Sequence, residues 1–182
     1  MNKYVALLRG INVGGNNKVE MARLKKTFES LGLENVVSYI NSGNIIFSSD
    51  QSASVLVPKL EAAIKKDFGF GVKVLLRDAK NIAAVVKALP VNWKNDVAMK
   101  CDVMFLWEHY DNSKVLEQLI IKPGIDDVKY VPGAVLWRVD RDKVTRSGLL
   151  RIVGTDLYKH MTIRNCNTLR KLATLLGVAT TE

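Results

Sequence analysis

Cysteine, histidine and proline are scarce in this 182-residue chain, with two, two and four copies, and each scarcity closes off a class of protein. Cys101 and Cys166 have no second cysteine or histidine at metal-ligand spacing, and two thiols do not make the disulfide framework of a small secreted domain. They read as ordinary thiols. His109, in Trp107-Glu108-His109-Tyr110-Asp111, and His160, in Tyr158-Lys159-His160-Met161, belong to no readable triad or metal set. No catalytic group is assigned, and no metal or cofactor is expected. No apolar run approaches the roughly 20 residues of a membrane span, so no membrane partner is expected either. The start Met1-Asn2-Lys3-Tyr4 lacks the small-residue cleavage site of a secretory leader and passes straight into an apolar run, which favours the cytoplasm.

What remains is globular in composition: 48% of residues are hydrophobic and 25% charged, enough for a core with a solvated surface. The length allows one domain or two small ones. The net charge of +9 favours acidic partners such as nucleic acid, nucleotides or phosphorylated metabolites over basic ones. One local excess is visible. Arg138, Arg141, Lys143, Arg146 and Arg151 fall close together around Asp140 and Asp142.

Tyr4 to Leu8 is a short apolar run ending at Arg9-Gly10, the pattern of a buried strand that delivers a loop to one sheet edge. Asn17 and Glu20 have the spacing of a capping box, and Met21, Leu24, Phe28 and Leu31 continue at helical period to the stop at Gly32. Val36 to Ile40 and Ile45 to Phe47 flank the turn formers Asn41-Ser42-Gly43-Asn44, which predicts a hairpin. Leu56, Leu60, Ile64 and Phe68 predict a helix from about Ser54, with Pro58 in its first turn, and Val72 to Leu76 a fourth strand. The order strand, helix, strand, strand, helix, strand is that of a ferredoxin-like split βαβ sandwich. Asp78 caps a connecting helix closed by Pro90.

The second half repeats the plan less regularly. Val103 to Trp107 reads as a strand, Val115 to Ile120 as a helix, and Val128 to Val131 with Ala134 to Val139 as a hairpin turning at Pro132-Gly133. Leu149 to Leu157 reads as a helix, Met161 to Ile163 as a short extended piece, and Leu169 to Leu176 as a final helix. The fold class predicted is α+β, two tandem ferredoxin-like sandwiches with antiparallel sheets. Residues 1–78 form the first, 79–98 a connecting helix and linker, and 99–182 a less regular second half with an extra C-terminal helix.

Three separated motifs, Ala6-Leu7-Leu8-Arg9-Gly10-Ile11-Asn12-Val13-Gly14-Gly15, Tyr39-Ile40-Asn41-Ser42-Gly43-Asn44 and Met161-Thr162-Ile163-Arg164-Asn165-Cys166-Asn167-Thr168, resemble the bacterial family catalogued as domain of unknown function 1697. Val131-Pro132-Gly133-Ala134-Val135-Leu136-Trp137 and Arg146-Ser147-Gly148 resemble its middle segment. The resemblance implies a shared fold and a shared site, with no activity assigned.

The first motif has the glycine separation of a P-loop at Gly10 and Gly15, but Asn16 and Asn17 stand where the lysine and hydroxyl residues belong, which argues against NTP hydrolysis. It also misses the dinucleotide fingerprint. The expectation left is an anion site made from loop N–H groups, a helix start near Lys18 and the Arg9 guanidinium, joined by a second helix start after Arg164. The candidate ligand-binding residues are Arg9, Gly10, Asn12, Gly14, Gly15, Ser42, Asn44, Thr162, Arg164, Asn165 and Thr168, and the expected partner is a small anionic, phosphate-bearing ligand, with Arg9 and Arg164 in one cleft. The competing structural reading has Asn165 or Asn167 as a helix cap, Arg164 paired with a carboxylate and the glycines serving tight turns. Nucleic acid, held by the Arg138 to Arg151 cluster, is the alternative partner, although the base-stacking signature of RNA-recognition domains is absent and Tyr4 and Phe47 read as core. A protein-interaction scaffold is the third class. Oligomeric state has no signal here.

Overall fold

A computed structural model describes residues 1–178, which fall into two compact units: Met1–Lys80 with Leu175–Val178, and Asn81–Thr174. In the first unit, β1 (Asn2–Leu8) is buried at every position from Tyr4 to Leu8, so the strand is covered on both faces. That is why its sequence reads as a continuous apolar run rather than an alternation. It pairs antiparallel with β3 (Asn44–Ser49) and β4 (Val74–Asp78), and β2 (Glu34–Tyr39) lies outside β3, giving the order β2-β3-β1-β4. α1 (Met21–Ser30) and α2 (Ala53–Phe68) are the two crossovers. This is the split βαβ sandwich. Tyr4, Ala6 and Leu8 of β1 pack with Phe28 of α1, Leu60 of α2 and Phe47 of β3, whose ring meets Phe28 edge-on at 5.6 Å. Lys3 Nζ donates to the Leu176 carbonyl 3.3 Å away, which draws residues 175–178 into this unit.

Two local expectations are corrected. Asn17 and Glu20 form no capping box: α1 starts at Met21, Glu20 is its N-cap without a side-chain bond, and Asn17 Nδ2 turns back to the Gly10 carbonyl. The left-handed backbone of Asn17, φ 48°, keeps it in the preceding loop and away from the helix start. Pro58 lies inside α2, which begins five residues earlier at Ala53. Its missing N–H frees the Ser54 carbonyl, and because Ser54 and Pro58 are both exposed, that carbonyl sits on the solvated side of the helix. Gly69 ends α2 in the left-handed conformation, its N–H bonded to the Lys65 carbonyl.

After α3 (Ala79–Ala88), the second unit repeats the strand plan with β5 (Met99–Leu106), β6 (Asp127–Val131), β7 (Ala134–Asp140) and β8 (Met161–Asn165) in the order β6-β7-β5-β8. Its crossovers are different. The helix expected over Val115 to Ile120 is a 3₁₀ turn at Ser113–Gln118, and the one expected over Leu149 to Leu157 is a 3₁₀ turn at Gly148–Ile152 followed by the single-turn α4 (Asp156–Lys159). Gly154, at φ 90°, separates these two pieces. β8 runs two residues further than the expected extended piece and is followed at once by α5 (Cys166–Leu176).

A buried carboxylate organises these irregular crossovers. Asp126 accepts from the backbone N–H groups of Lys122 and Gly148, from the Ser147 hydroxyl and from Trp137 Nε1, tying both 3₁₀ connections to β7. Gly148 is required beside it, because a Cβ at that position would collide with the Ile120 carbonyl oxygen. Above this pin Met104, Leu106, Val135 and Trp137 pack with Val115, Leu149, Ile152 and Leu157.

Burial alone would raise the Asp126 pKa, but the hydrogen bonds from Ser147, Lys122, Gly148 and Trp137 outweigh it and hold the carboxyl below its ordinary value. A depressed folded pKa means that the stabilisation is present above the unfolded value near 4 and is lost as pH falls through the folded one. Asp126→Ala is expected to cost about 1–3 kcal/mol in urea unfolding at pH 7, and the gap between wild type and variant should narrow below about pH 4. A gap of the same size at pH 3 and pH 7 would mean that the ionised carboxylate is not what holds the turns.

Candidate anion-binding site

The first two sequence motifs fold into one loop cluster at the end of β1. Val13 and Asn16 form an isolated antiparallel bridge, with Gly14 and Gly15 as the two-residue turn at φ 59° and 78°. Two positive φ values in succession are the type I′ hairpin requirement, which explains the glycine pair. The N–H groups of Asn16 and Asn12 are spent inside this small hairpin, on the Val13 and Asn17 carbonyls.

Asn12 joins the hairpin to everything around it. Its Oδ1 accepts from the Val19 N–H at 2.8 Å, and its Nδ2 donates to the Val19 carbonyl at 2.9 Å and to the Asn41 carbonyl at 2.8 Å. One side chain thus copies a strand partner for Val19 and reaches the turn between β2 and β3. That turn presses close: the Leu8 N–H donates to the Gly43 carbonyl, and a Cβ on Gly43 would come within 2.7 Å of Ile11 Cδ1 and 2.8 Å of Leu8 Cβ. Asn44 is wholly buried and donates to the Tyr39 carbonyl and to Ser42 Oγ. Asn12, Gly43 and Asn44 therefore shape the cluster, a role the sequence reading had not separated from ligand contact.

Beside the cluster lies an open pocket of about 530 Å³ lined by Asn12, Gly15, Lys18, Val19, Glu20, Met21 and Asn41. It sits at the N-terminal end of α1, where no side chain caps the helix and no acidic residue occupies the first turn. Lys18, Glu20 and Asn41 are exposed on its wall. Lys18 and Glu20 line this pocket and are not among the candidate residues read from the sequence, which placed only a helix start near Lys18. Ile40 stands next to Asn41 with φ 49°, a conformation that costs a β-branched residue about 1–3 kcal/mol, and it is exposed.

The third motif belongs to the second unit. Arg164 lies on β8 opposite Val103, with Thr162 opposite Phe105, so both side chains share the face of those strand residues. Both are buried; Arg164 Nη1 donates to Thr162 Oγ1 and to the Ile163 carbonyl, and burial pushes its pKa down to about 10. Asn165 Oδ1 accepts from the Thr168 N–H, so Asn165 caps α5 in the manner of the structural reading.

In the basic cluster, Arg138 is ion-paired with Asp127 and Asp140, Lys143 with Asp140, and Arg141 donates to Asn95 and to the Asp96 carbonyl, while Arg146 and Arg151 are exposed. Lys143 and then Arg138 hold the Asp140 carboxyl below its usual value. The histidines come together with Tyr110. Its ring lies 5.0 Å from His160 and meets His109 edge-on at 5.1 Å, and its hydroxyl donates to Asp156, which raises the phenol pKa and makes it a poorer acid. No group of three or more His, Cys, Asp or Glu residues among those described is placed to hold a metal ion.

The model of a family described as protein of unknown function (DUF1697) matches residues 1–137, which contain the loop cluster whole. The chain belongs to the DUF1697 family. No curated protein matches it. A solved structure, described as a conserved bacterial protein from Streptococcus pneumoniae, is similar at 34% identity with a TM-score of 0.82, over 96% of this chain and 98% of that one. The segment that the DUF1697 model matches includes Asn12, Gly43 and Asn44, and the third motif lies beyond it.

Asn12→Ala is expected to lower unfolding stability by about 1–3 kcal/mol, because the Val19 and Asn41 backbone groups lose their partner. Asn12→Asp should fall in the same range, since the carboxylate offers no N–H to either carbonyl. A variant within about 0.5 kcal/mol of wild type, the range of ordinary surface substitutions, would assign the clamp to other contacts.

Proposed function

We propose that the first unit binds a small anionic, phosphate-bearing molecule in the pocket at the start of α1. The observation that carries the reading is the coincidence, on one wall, of an uncapped helix N-terminus and the exposed Lys18. A helix N-terminus favours an anion by about 0.3–1 kcal/mol at the surface, too little for useful affinity by itself. A lysine ammonium beside it adds a point charge and three donors, and the pocket volume lies in the usual range for small-ligand sites. Glu20 on the same wall supplies an acceptor for a hydroxyl, so a sugar phosphate or nucleoside monophosphate suits the lining better than a bare inorganic anion.

The reading rests on the first loop and not on the third motif, because Asn165 is engaged as a cap and Arg164 is buried. Nucleic-acid binding through the Arg138 cluster draws less support, since three of its five basic groups are already held by carboxylates, an amide or a carbonyl. Bacterial origin and a cytoplasmic location accompany the proposal as expectations of the same standing. No helix among the described residues is long and apolar enough to cross a membrane.

Calorimetric titration of the protein with sugar phosphates and nucleoside monophosphates, at two salt concentrations, tests the proposal. Saturable one-site binding is expected, with Lys18→Ala about tenfold weaker, equivalent to ~1.4 kcal/mol, and unchanged in melting temperature. Equal affinity in wild type and Lys18→Ala would remove the pocket from the explanation. Salt-sensitive binding of any oligonucleotide would favour the nucleic-acid reading instead.

A further inference from the structure

Cys101 and Cys166 are 65 residues apart in sequence and adjacent in the second unit. The β5–β8 ladder pairs Val103 with Arg164 and Asp102 with Asn165; the next step of the same register sets Cys101 beside Cys166, at the junction where β8 becomes α5. Cross-strand neighbours of this kind bring their Cβ atoms to about 4.5–5.5 Å, close to the separation a disulfide needs. Both side chains are fully buried at this junction, and each thiol is the largest influence on the ionisation of the other. Both are free thiols.

The two sulfurs differ in character. Cys166 is the first residue of α5, where the helix N-terminus favours negative charge, and Arg170 Nη1 lies 3.5 Å from its Sγ. The neighbouring Cys101 thiol, with Arg170 beside it, holds Cys166 below an ordinary thiol, while the neighbouring Cys166 and burial push Cys101 well above one. Of the two, Cys166 is the better placed to ionise, with the Arg170 guanidinium against its sulfur.

We propose that Cys101 and Cys166 form a reversible oxidation site, which a hydroperoxide converts into an intramolecular disulfide between β5 and the start of α5. The Cys166 thiolate attacks a peroxide oxygen; the O–O bond breaks, the sulfur keeps the hydroxyl as a sulfenic acid, and the leaving alkoxide takes the proton that Cys166 had released. The Cys101 sulfur then attacks the Cys166 sulfur; the S–S bond forms, the S–O bond breaks, and the departing hydroxide carries off the Cys101 proton as water. Two electrons pass from the dithiol to the peroxide, leaving an alcohol and water.

Both thiols are buried, so the oxidant needs an opening, and the segment 91–98 provides it. That segment has no regular structure, and Val91 and Val97 are 64% and 96% exposed. It is held over the thiols by bonds from α5: Arg170 donates to the Pro90 and Trp93 carbonyls and Asn167 to the Asn95 carbonyl, with the Trp93 carbonyl oxygen 3.7 Å from Cys166 Sγ. Arg141 adds bonds to Asn95 and Asp96, so the segment is tied by polar bonds and little apolar burial, the kind of attachment that opens locally without global unfolding.

Treatment of the native protein with hydrogen peroxide or an alkyl hydroperoxide, followed by thiol titration in denaturant and peptide mass mapping, tests the site. Both thiols should disappear together, with a peptide pair joining Cys101 to Cys166 that dithiothreitol separates. In Cys101→Ala, Cys166 should accumulate a sulfenic acid trapped by dimedone; in Cys166→Ala, Cys101 should stay a thiol over the same time. Survival of both wild-type thiols, or their conversion to sulfinic and sulfonic acids without a linked peptide pair, would overturn the proposal. The wild-type measurement stands on its own should either variant fold poorly.

Discussion

Three hydrogen bonds at the Asn12 side chain, two donated and one accepted, hold together the part of the first unit on which its candidate site depends. They are where the loop after β1, the lead-in to α1 and the turn between β2 and β3 meet on one side chain. Their directionality matters: Val19 is satisfied at both N–H and C=O, so the chain enters α1 at one angle and places Lys18 and Glu20 on the pocket wall. Gly43 adds the steric half of the same constraint, because only a residue without Cβ lets the second turn approach Leu8 and Ile11. The pocket is a by-product of that junction.

The sequence carried the strand plan well because burial writes directly into it. Tyr4 to Leu8 and Ala134 to Val139 are apolar at almost every position, as strands covered on both faces must be, and the glycine and asparagine turns between them require positive φ. The crossovers of the second unit were illegible for a physical reason: Leu149 to Leu157 has helical spacing, but Asp126 draws the Gly148 N–H into a long-range bond and Gly154 breaks the run. Local periodicity does not register a carboxylate 22 residues away. The capping box failed because Asn17, in the left-handed conformation, belongs to the preceding loop and the helix starts only at Met21.

Of the candidate site, the motifs were legible as conspicuous residues and their roles were not. Asn12, Gly14, Gly15, Gly43 and Asn44 stand out in sequence because turn geometry and close packing demand them, which is the same signature that ligand contact would leave. The sequence put the helix start near Lys18, and the structure fixes it three residues later at Met21, with Lys18 left on the pocket wall. The adjacency of Cys101 and Cys166 is a matter of β5–β8 register, which no sequence spacing announces.

The bond from Lys3 to the Leu176 carbonyl gives the first unit a long memory. Residues 1–80 supply nearly all of that unit, yet its last contacts come from 175–178, after the whole second unit has been made. During synthesis, residues 1–80 therefore leave the ribosome well before the segment 175–178 that joins them in this unit, and the contact between Lys3 and Leu176 is among the last the chain can make.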